Sequence, residues 1–347
     1  MSTNAKVRVA VDAMGGDFGL AVVIEGAIAA CRDMNVSVLL TGPRRRIEEA
    51  LSAAGAADST TIEVVEAPEL IEMDEKVSRS TLRKRSSIQI AMELVRDGKA
   101  DAFFSAGNTA ACWTIAKIVL GTLEEVDRPA LAAVLPTPLG RTVILDVGAN
   151  ARCKARHLEE FAVMGTVYVR RVFGVSEPRV GLMSMGEEAT KGNDLTKEVH
   201  EALRGSALNF VGNVEGQDIF GDDVDVVVMD GFTGNVVLKA SERLASSMMS
   251  LLREELRKTP VSRLGALLSK RAFRAVRRRI DPAEHGGAPL LGVRGCCFIG
   301  HGKSTPLAIR QGIRAAVEFF ASGVNDELQE ALRMLALQRD SATAGIA

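Results

Sequence analysis

Four short loops carry the residue types best suited to chemistry in this chain: Asp12-Ala-Met-Gly-Gly-Asp17, Ser105-Ala-Gly-Asn-Thr109, Asp146-Val-Gly-Ala-Asn150 and Asp230-Gly-Phe-Thr-Gly-Asn235. Glycine lets the backbone approach a ligand closely and adopt positive φ, so that successive N–H groups converge on an anion. A helix that opens at the same spot adds its partial positive charge. Asn and Thr side chains add uncharged donors. Gly15, Gly16, Gly107, Asn108, Thr109, Gly148, Asn150, Asp230, Gly231, Thr233 and Gly234 are therefore the candidate cradle for an anion such as phosphate. A phosphate also needs compensating charge. Lys191 stands beside Gly192 and Asn193, just before a helix starting near Asp194, and His301 and Lys303 lie among glycines in Gly300-His-Gly-Lys-Ser304. Arg79, Arg83, Lys84 and Arg85 form a basic run, which reads either as a solvated face or as a ligand contact. His157 and His200 fall in helical patterns and read as surface residues, whereas His285 and His301 lie in glycine-rich loops and are better candidates.

Other chemistries are excluded by spacing. A P-loop would need glycine five residues before Gly302, where Cys297 sits. No nucleophile elbow, H-E-x-x-H pair or EF-hand loop is present, and no G-x-G-x-x-G follows the first strand pattern. No carboxylate cluster for a metal stands out, so neither a metal nor a cofactor is expected. The five cysteines form no C-x-x-C pair and are odd in number, which fits a reducing, cytoplasmic setting and a packing role, Cys296 and Cys297 included. A formal charge of -1 excludes general affinity for nucleic acid. The N-terminus runs into a strand pattern and reads as no signal peptide. The stretch from Thr109 to Leu123 is interrupted by Lys117 and falls short of a membrane span.

The elements that must position these loops are legible from periodicity. Val7–Val11, Val36–Leu40, Ile62–Val65, Ala102–Ser105, Val143–Asp146, Val180–Met183 and Val224–Met229 read as short buried strands, the last of these as the final strand. Amphipathic helices fit Ala21–Asp33, Arg44–Ala54, Ser87–Arg96, His157–Phe173 and Pro306–Phe320. Strands alternating with helices predict an α/β fold, a mostly parallel sheet flanked by helices, with ligands beyond the carboxyl ends of the strands. Residues 1–335 read as a single catalytic unit and 336–347 as a flexible tail. From Arg253 to Arg279 there are ten Lys/Arg against two Glu, which marks a basic helical protrusion at about 250–281. Val261, Leu264, Leu268, Ala272 and Ala275 would share one stripe of a helix there, and Arg263, Lys270, Arg274 and Arg277 another.

Taken in order, the loops resemble those of the bacterial phosphate acyltransferases of phospholipid synthesis, the acyl-acyl-carrier-protein:phosphate acyltransferases. The resemblance rests on DAMGGD (12–17), MDEK (73–76), SAGNT (105–109), DRPAL (127–131), DVGAN (146–150), KGN (191–193), GNVEG (212–216), DGFTGNVVLK (230–239), GGAPLLG (286–292) and the His-Gly pair 301–302, and it covers roughly residues 7 to 320. It implies a fold like that of isocitrate and isopropylmalate dehydrogenases and of phosphotransacetylases, a homodimer, and conversion of acyl-[acyl-carrier-protein] and inorganic phosphate to acyl phosphate and free carrier protein. Ala110 stands where the family usually has glycine, and Lys303 where it has serine.

On this reading phosphate attacks an already activated thioester, with Lys191, Asn235 and His301 as the catalytic residues and Asn193 among the binding ones. His301 would either protonate the departing thiolate or orient phosphate. The basic protrusion reads either as a helix packed on a dimer partner or as a docking surface for acidic carrier protein or an anionic membrane. The resemblance favours peripheral membrane association, with acyl phosphate passed to a membrane glycerol-3-phosphate acyltransferase. A phosphotransacetylase-like enzyme acting on acyl-CoA, and a non-catalytic sensor of phosphate or lipid intermediates, are the alternatives.

Overall fold

The computed structural model describes residues 6–284 and 286–344; His285 lies outside them. Eleven strands form one sheet: β1 (Val7–Asp12), β2 (Val36–Gly42), β3 (Ile62–Glu66), β4 (Ala102–Ser105), β5 (Ala130–Pro136), β6 (Arg141–Leu145), β7 (Val180–Met183), β8 (Phe210–Val214), β9 (Val226–Val228), β10 (Ala288–Leu291) and β11 (Cys296–Ile299). Their order across the sheet is β3-β2-β1-β4-β11-β10-β5-β6-β9-β7-β8. The pairs β10–β11, β10–β5 and β5–β6 are antiparallel and the other pairings are parallel. The fold is α/β with a large, mostly parallel sheet, as the alternating pattern predicts.

Alternate side chains of each strand enter different cores, because successive residues point to opposite faces. Val9 and Val11 of β1 join one buried cluster and Ala10 the other. The first cluster is closed by α1 (Leu20–Asp33), α5 (Ala155–Phe173), α10 (Pro306–Ser322) and α11 (Val324–Ala344). The second is closed by α3 (Ser87–Arg96) and α4 (Thr109–Val119). The helices α2 (Arg44–Ala53) and α6 (Asp194–Arg204) cover the flanks.

One expectation about the sheet is corrected. Val224–Met229 is not the final strand: β10 and β11 follow it and occupy the centre of the sheet. These strands, like β5, are built mostly of Ala, Pro, Leu, Cys and Phe rather than β-branched runs, so their signal is weak. Of the expected tail, 345–347 lie outside the described residues, and the segment from Ala336 is helical. It continues α11 to Ala344, and Arg339 ties the helix to Glu159 (3.3 Å) and Glu160 (3.4 Å) on α5.

The basic segment is helical but not one helix. α7 (Gly231–Lys258) is followed by α8 (Pro260–Leu268) and α9 (Lys270–Ile280). Thr259 caps α8 by accepting from the Ser262 N–H, and Pro260, with no N–H to donate, begins the new helix. Ser269 (φ -87°, ψ 7°) separates α8 from α9, so the single stripe expected from Val261 to Ala275 is broken. α8 and α9 bury no residue, and α7 buries only Gly231 and Gly234 at its base. The arm returns to the body where Arg279 Nη2 donates to the carbonyls of Thr137 (3.0 Å) and Pro138 (2.7 Å).

Candidate active site

The loop after β6 is organised by a buried carboxylate. Asp146 Oδ1 accepts from the N–H groups of Leu131 (3.0 Å) and Ala149 (3.1 Å), and Oδ2 from Asn150 N–H (2.6 Å) and Asn150 Nδ2 (3.0 Å). Burial raises the Asp146 carboxyl above its ordinary range, and these bonds oppose the rise. Asn150 Nδ2 also donates to the Pro129 carbonyl (2.8 Å). Asn150 therefore holds the loop in shape and is not a free donor, although its Oδ1 is buried with no hydrogen-bond partner among the described residues.

The helix α7 packs its first turn onto this loop. Asp230 is its N-cap, accepting from Thr233 N–H (3.0 Å) and Thr233 Oγ1 (2.9 Å). A Cβ at Gly231 would stand 2.7 Å from Asp146 Oδ2, and one at Gly234 would overlap the Asp146 carbonyl oxygen. Only glycine allows this approach. Asn235, on the same helical face, lies against Gly148 (φ 131°), whose notional Cβ would be 3.6 Å from the Asn235 Cβ. The Asn235 carboxamide makes no hydrogen bond among the described residues, which leaves it available to a ligand.

Lys191 lies on the exposed loop after β7, the neighbour of β9, so its loop and the start of α7 emerge on the same side of the sheet. Its ammonium has no ion-pair partner among the described residues. Asn193 is the N-cap of α6, with Oδ1 accepting from Thr196 N–H (2.9 Å) and Thr196 Oγ1 (3.1 Å). Its Oδ1 is thus committed to the cap.

A second set of loops surrounds β1, β4 and β11. Ser105 donates to Asp12 Oδ2 (2.7 Å), Gly107 N–H donates to Ser105 Oγ (2.9 Å), and Asp17 N–H donates to the Gly302 carbonyl (2.7 Å). A Cβ on Gly15 would meet Gly107 N at 2.6 Å, and one on Gly16 (φ 101°) would meet Gly302 O at 3.3 Å. Asn108 caps α4 through Oδ1 and spends Nδ2 on the carbonyls of Glu72 (3.1 Å), Met73 (3.1 Å) and Glu75 (2.9 Å). It anchors the MDEK segment rather than facing a ligand. Thr109 and His301 are exposed, with His301 Nδ1 accepting from Lys303 N–H (3.1 Å). Of the basic run, Lys84 pairs with Glu75 (2.7 Å) and Arg85 with Glu93 (3.1 Å).

The loops therefore do not all leave one edge of the sheet. The antiparallel pairs β10–β11, β10–β5 and β5–β6 reverse the chain, so β1, β4 and β11 end on one side and β6, β7 and β9 on the other. Direct contacts gather Gly15, Gly16, Gly107, Asn108 and Gly302 in one set, and Gly148, Asn150, Asp230, Gly231, Thr233, Gly234 and Asn235 in the other. Pro129, in the DRPAL motif, links them: its carbonyl accepts from Asn150 Nδ2 and from Trp113 Nε1 (3.4 Å) on α4. Asp146 was not among the candidate residues. An Asp at a strand end followed by Gly-Ala-Asn is an Asx-turn signal that could have singled it out.

His157 and His200 are buried, not surface residues. His157 sits between Asp127 (2.8 Å) and the Lys154 N–H (3.1 Å), and His200 faces Asn213 (2.9 Å). Burial pushes the thiols of Cys112 and Cys153 up to about 12 and raises those of Cys296 and Cys297 as well, so none is a thiolate nucleophile at neutral pH. Among the described residues no cluster of His, Cys, Asp or Glu could hold a metal, and no helix is long and apolar enough to cross a membrane.

The fold is that of the phosphotransacylases. A phosphotransacetylase from Streptococcus pyogenes superposes with a TM-score of 0.63 at 16% identity, covering 92% of this chain and 94% of that one. The EutD phosphotransacetylase from Staphylococcus aureus gives 0.61 at 13% identity, covering 94% and 95%. At the sequence level, residues 7–327 match the family described as fatty acid synthesis protein. The phosphate acyltransferase of Acidobacterium capsulatum is 50% identical over 322 residues, 92% of this chain and 96% of that protein. That of Aquifex aeolicus is 42% identical over 329 residues, 95% and 98%. The chain belongs to the fatty acid synthesis protein family and, as the phosphate acyltransferases among its relatives indicate, is an acyltransferase of fatty acid and phospholipid synthesis.

Proposed function

We propose that the chain transfers an acyl group from acyl-[acyl-carrier-protein] to inorganic phosphate, giving acyl phosphate and free carrier protein. The observation that carries this reading is the pair of groups uncommitted among the described residues, the Lys191 ammonium on the loop after β7 and the Asn235 carboxamide in the first turn of α7, on segments that follow adjacent parallel strands. Lys191 neutralises the phosphate dianion. Asn235 and the backbone at Gly148 supply donors to phosphate or to the thioester carbonyl oxygen as negative charge develops on it. The thioester is already activated, so the main task is positioning, which supplies on the order of 7–11 kcal/mol when two reactants are held in attack geometry. Phosphate oxygen forms the bond to the carbonyl carbon and the carrier thiolate departs. A thiolate leaves readily, so no proton is routed through His301.

Peripheral membrane contact and a homodimer belong to the same reading. Leu244, Met248 and Leu251 form an exposed stripe on α7, and a second copy would cover it. The basic α9 suits an anionic lipid surface, where each Lys or Arg contributes about 1 kcal/mol. That would place acyl phosphate near a membrane glycerol-3-phosphate acyltransferase. Charge reversal at Arg274 and Arg277 should abolish flotation with anionic liposomes; unchanged flotation removes the membrane from the account.

Release of free thiol from acyl-carrier protein and from acyl-CoA, each with and without phosphate, tests the reaction. Phosphate-dependent release from the carrier protein supports it. Release only from acyl-CoA favours a phosphotransacetylase-like enzyme, and no release from either favours a non-catalytic role.

A further inference from the structure

The loop that carries Lys191 is exposed along most of its length, yet one of its carbonyls is gripped from inside the fold. Glu188 O accepts from Lys191 N–H (2.9 Å), closing the turn on which Lys191 stands. The same oxygen accepts from Asn213 Nδ2 (2.9 Å). Asn213 is the second residue of the GNVEG motif, lies on β8 and is 5% exposed. Its Oδ1 faces Nδ1 of His200 at 2.9 Å, and His200, on α6, is itself buried, edge-on to Phe210 with ring centroids 5.2 Å apart.

The chemistry of these atoms leaves one arrangement. A carbonyl cannot donate, so the Asn213 NH₂ must face Glu188, and its oxygen must face His200. His200 Nδ1 is then the donor. An inverted amide would set two oxygens against each other at Glu188. The remaining anchors of the loop are its ends: Ser184 N–H donates to Val214 O (2.8 Å), and Asn193 caps α6. Between them, the Asn213 amide is, among the described residues, the one side chain that hydrogen-bonds the backbone of residues 185–192 from another element.

We propose that Asn213 and His200 are positioning residues for Lys191: His200 fixes the orientation of the Asn213 amide, and Asn213 fixes the turn that sets where the Lys191 ammonium stands. The inference rests on the assignment of Lys191 to the reacting centre. Neither side chain needs to touch phosphate or thioester. They act through the Glu188 carbonyl, and their loss should displace a charge that works only at the right distance. An ångström-scale displacement of such a group costs on the order of 100-fold in rate.

The test is a double-mutant cycle read by calorimetric titration of the full-length protein with inorganic phosphate and by phosphate-dependent thiol release. Lys191→Ala establishes the reference: if it leaves phosphate affinity and turnover unchanged, the assignment of Lys191 fails, whatever Asn213 does. If it weakens both, Asn213→Ala should also weaken both, and the two losses should not add, because Asn213 acts only through Lys191. Losses that add in full, or an Asn213→Ala protein with normal phosphate affinity and kcat/KM, overturn the proposal. Should Asn213→Ala fail to fold, the His200 pair decides. His200→Gln keeps a donor and should retain activity within about threefold, whereas His200→Leu should lose on the order of tenfold or more in kcat/KM for phosphate. Equal activity of these two variants at matched thermal stability overturns it.

Discussion

Gly234, in the first turn of α7, faces the carbonyl oxygen of Asp146 across a gap that admits no side chain. This contact seats the helix on the loop after β6 and so determines where Asn235 stands. Alanine in a helix interior is favoured over glycine by about 1 kcal/mol, but overpacking of this kind costs about 3 kcal/mol. Gly234→Ala should therefore be destabilising by roughly the difference, about 2 kcal/mol. Gly265 in α8 is the contrast, since a Cβ there meets nothing within 4 Å. Gly265→Ala should stabilise by up to about 1 kcal/mol. Denaturant midpoints of the two variants should move in opposite directions, and movement in the same direction contradicts the packing argument.

Asn108 was expected to face an anion and is instead a clamp on residues 72–75. Asn108→Asp keeps an oxygen to cap α4 but loses the two N–H donors shared among three carbonyls. It should cost about 1–3 kcal/mol and speed amide exchange across the MDEK segment, leaving α4 protected. A direct role in anion binding would instead lower phosphate affinity with exchange unaltered.

The pairing of buried His157 with the exposed Asp127 (2.8 Å) gives a pH dependence whose sign can be worked out. Burial lowers the His157 pKa from its ordinary 6.5, against the attraction of Asp127. The unfolded chain therefore takes up a proton more readily than the folded one as pH falls below 6.5. Stability declines over that window until the folded ring also protonates. The Asp127 carboxyl is held below its ordinary 3.8, chiefly by its bond to His157, so its contribution is present above 3.8 and lost as pH falls further. His157→Gln should flatten the fall in urea midpoint between about pH 7 and pH 5.5, where wild type declines. Parallel slopes for the two proteins would show that His157 is not the group responsible.

How much of this was legible beforehand depends on which residue is asked. Strands such as Ala102–Ser105 and Val180–Met183 coincide with their apolar runs, because a buried parallel strand needs little else. The strands β5, β10 and β11 were hidden, since Ala-Leu-Ala-Ala and Cys-Cys-Phe-Ile carry no period, and with them went the reversal that sends the loops to two edges. The glycines of the Asp230–Asn235 loop were recognisable as close-approach positions, and Gly231 and Gly234 are. The Asn residues were recognisable as donors but not as donors already in use. Asn108 and Asn150 spend their amides on carbonyls far along the chain, and such partners are invisible before the fold is known, while Asn193 spends its oxygen on a local cap. The same holds for His157 and His200, whose helical periodicity did not reveal the polar partners that let them be buried.

The account stands most directly on Lys191. Phosphate-dependent release of thiol from acyl-carrier protein should fall on the order of 100- to 1000-fold in Lys191→Ala, with the thermal midpoint unchanged because the ammonium has no hydrogen-bond or ion-pair partner among the described residues. A Lys191→Ala enzyme with the wild-type kcat/KM for phosphate would contradict it.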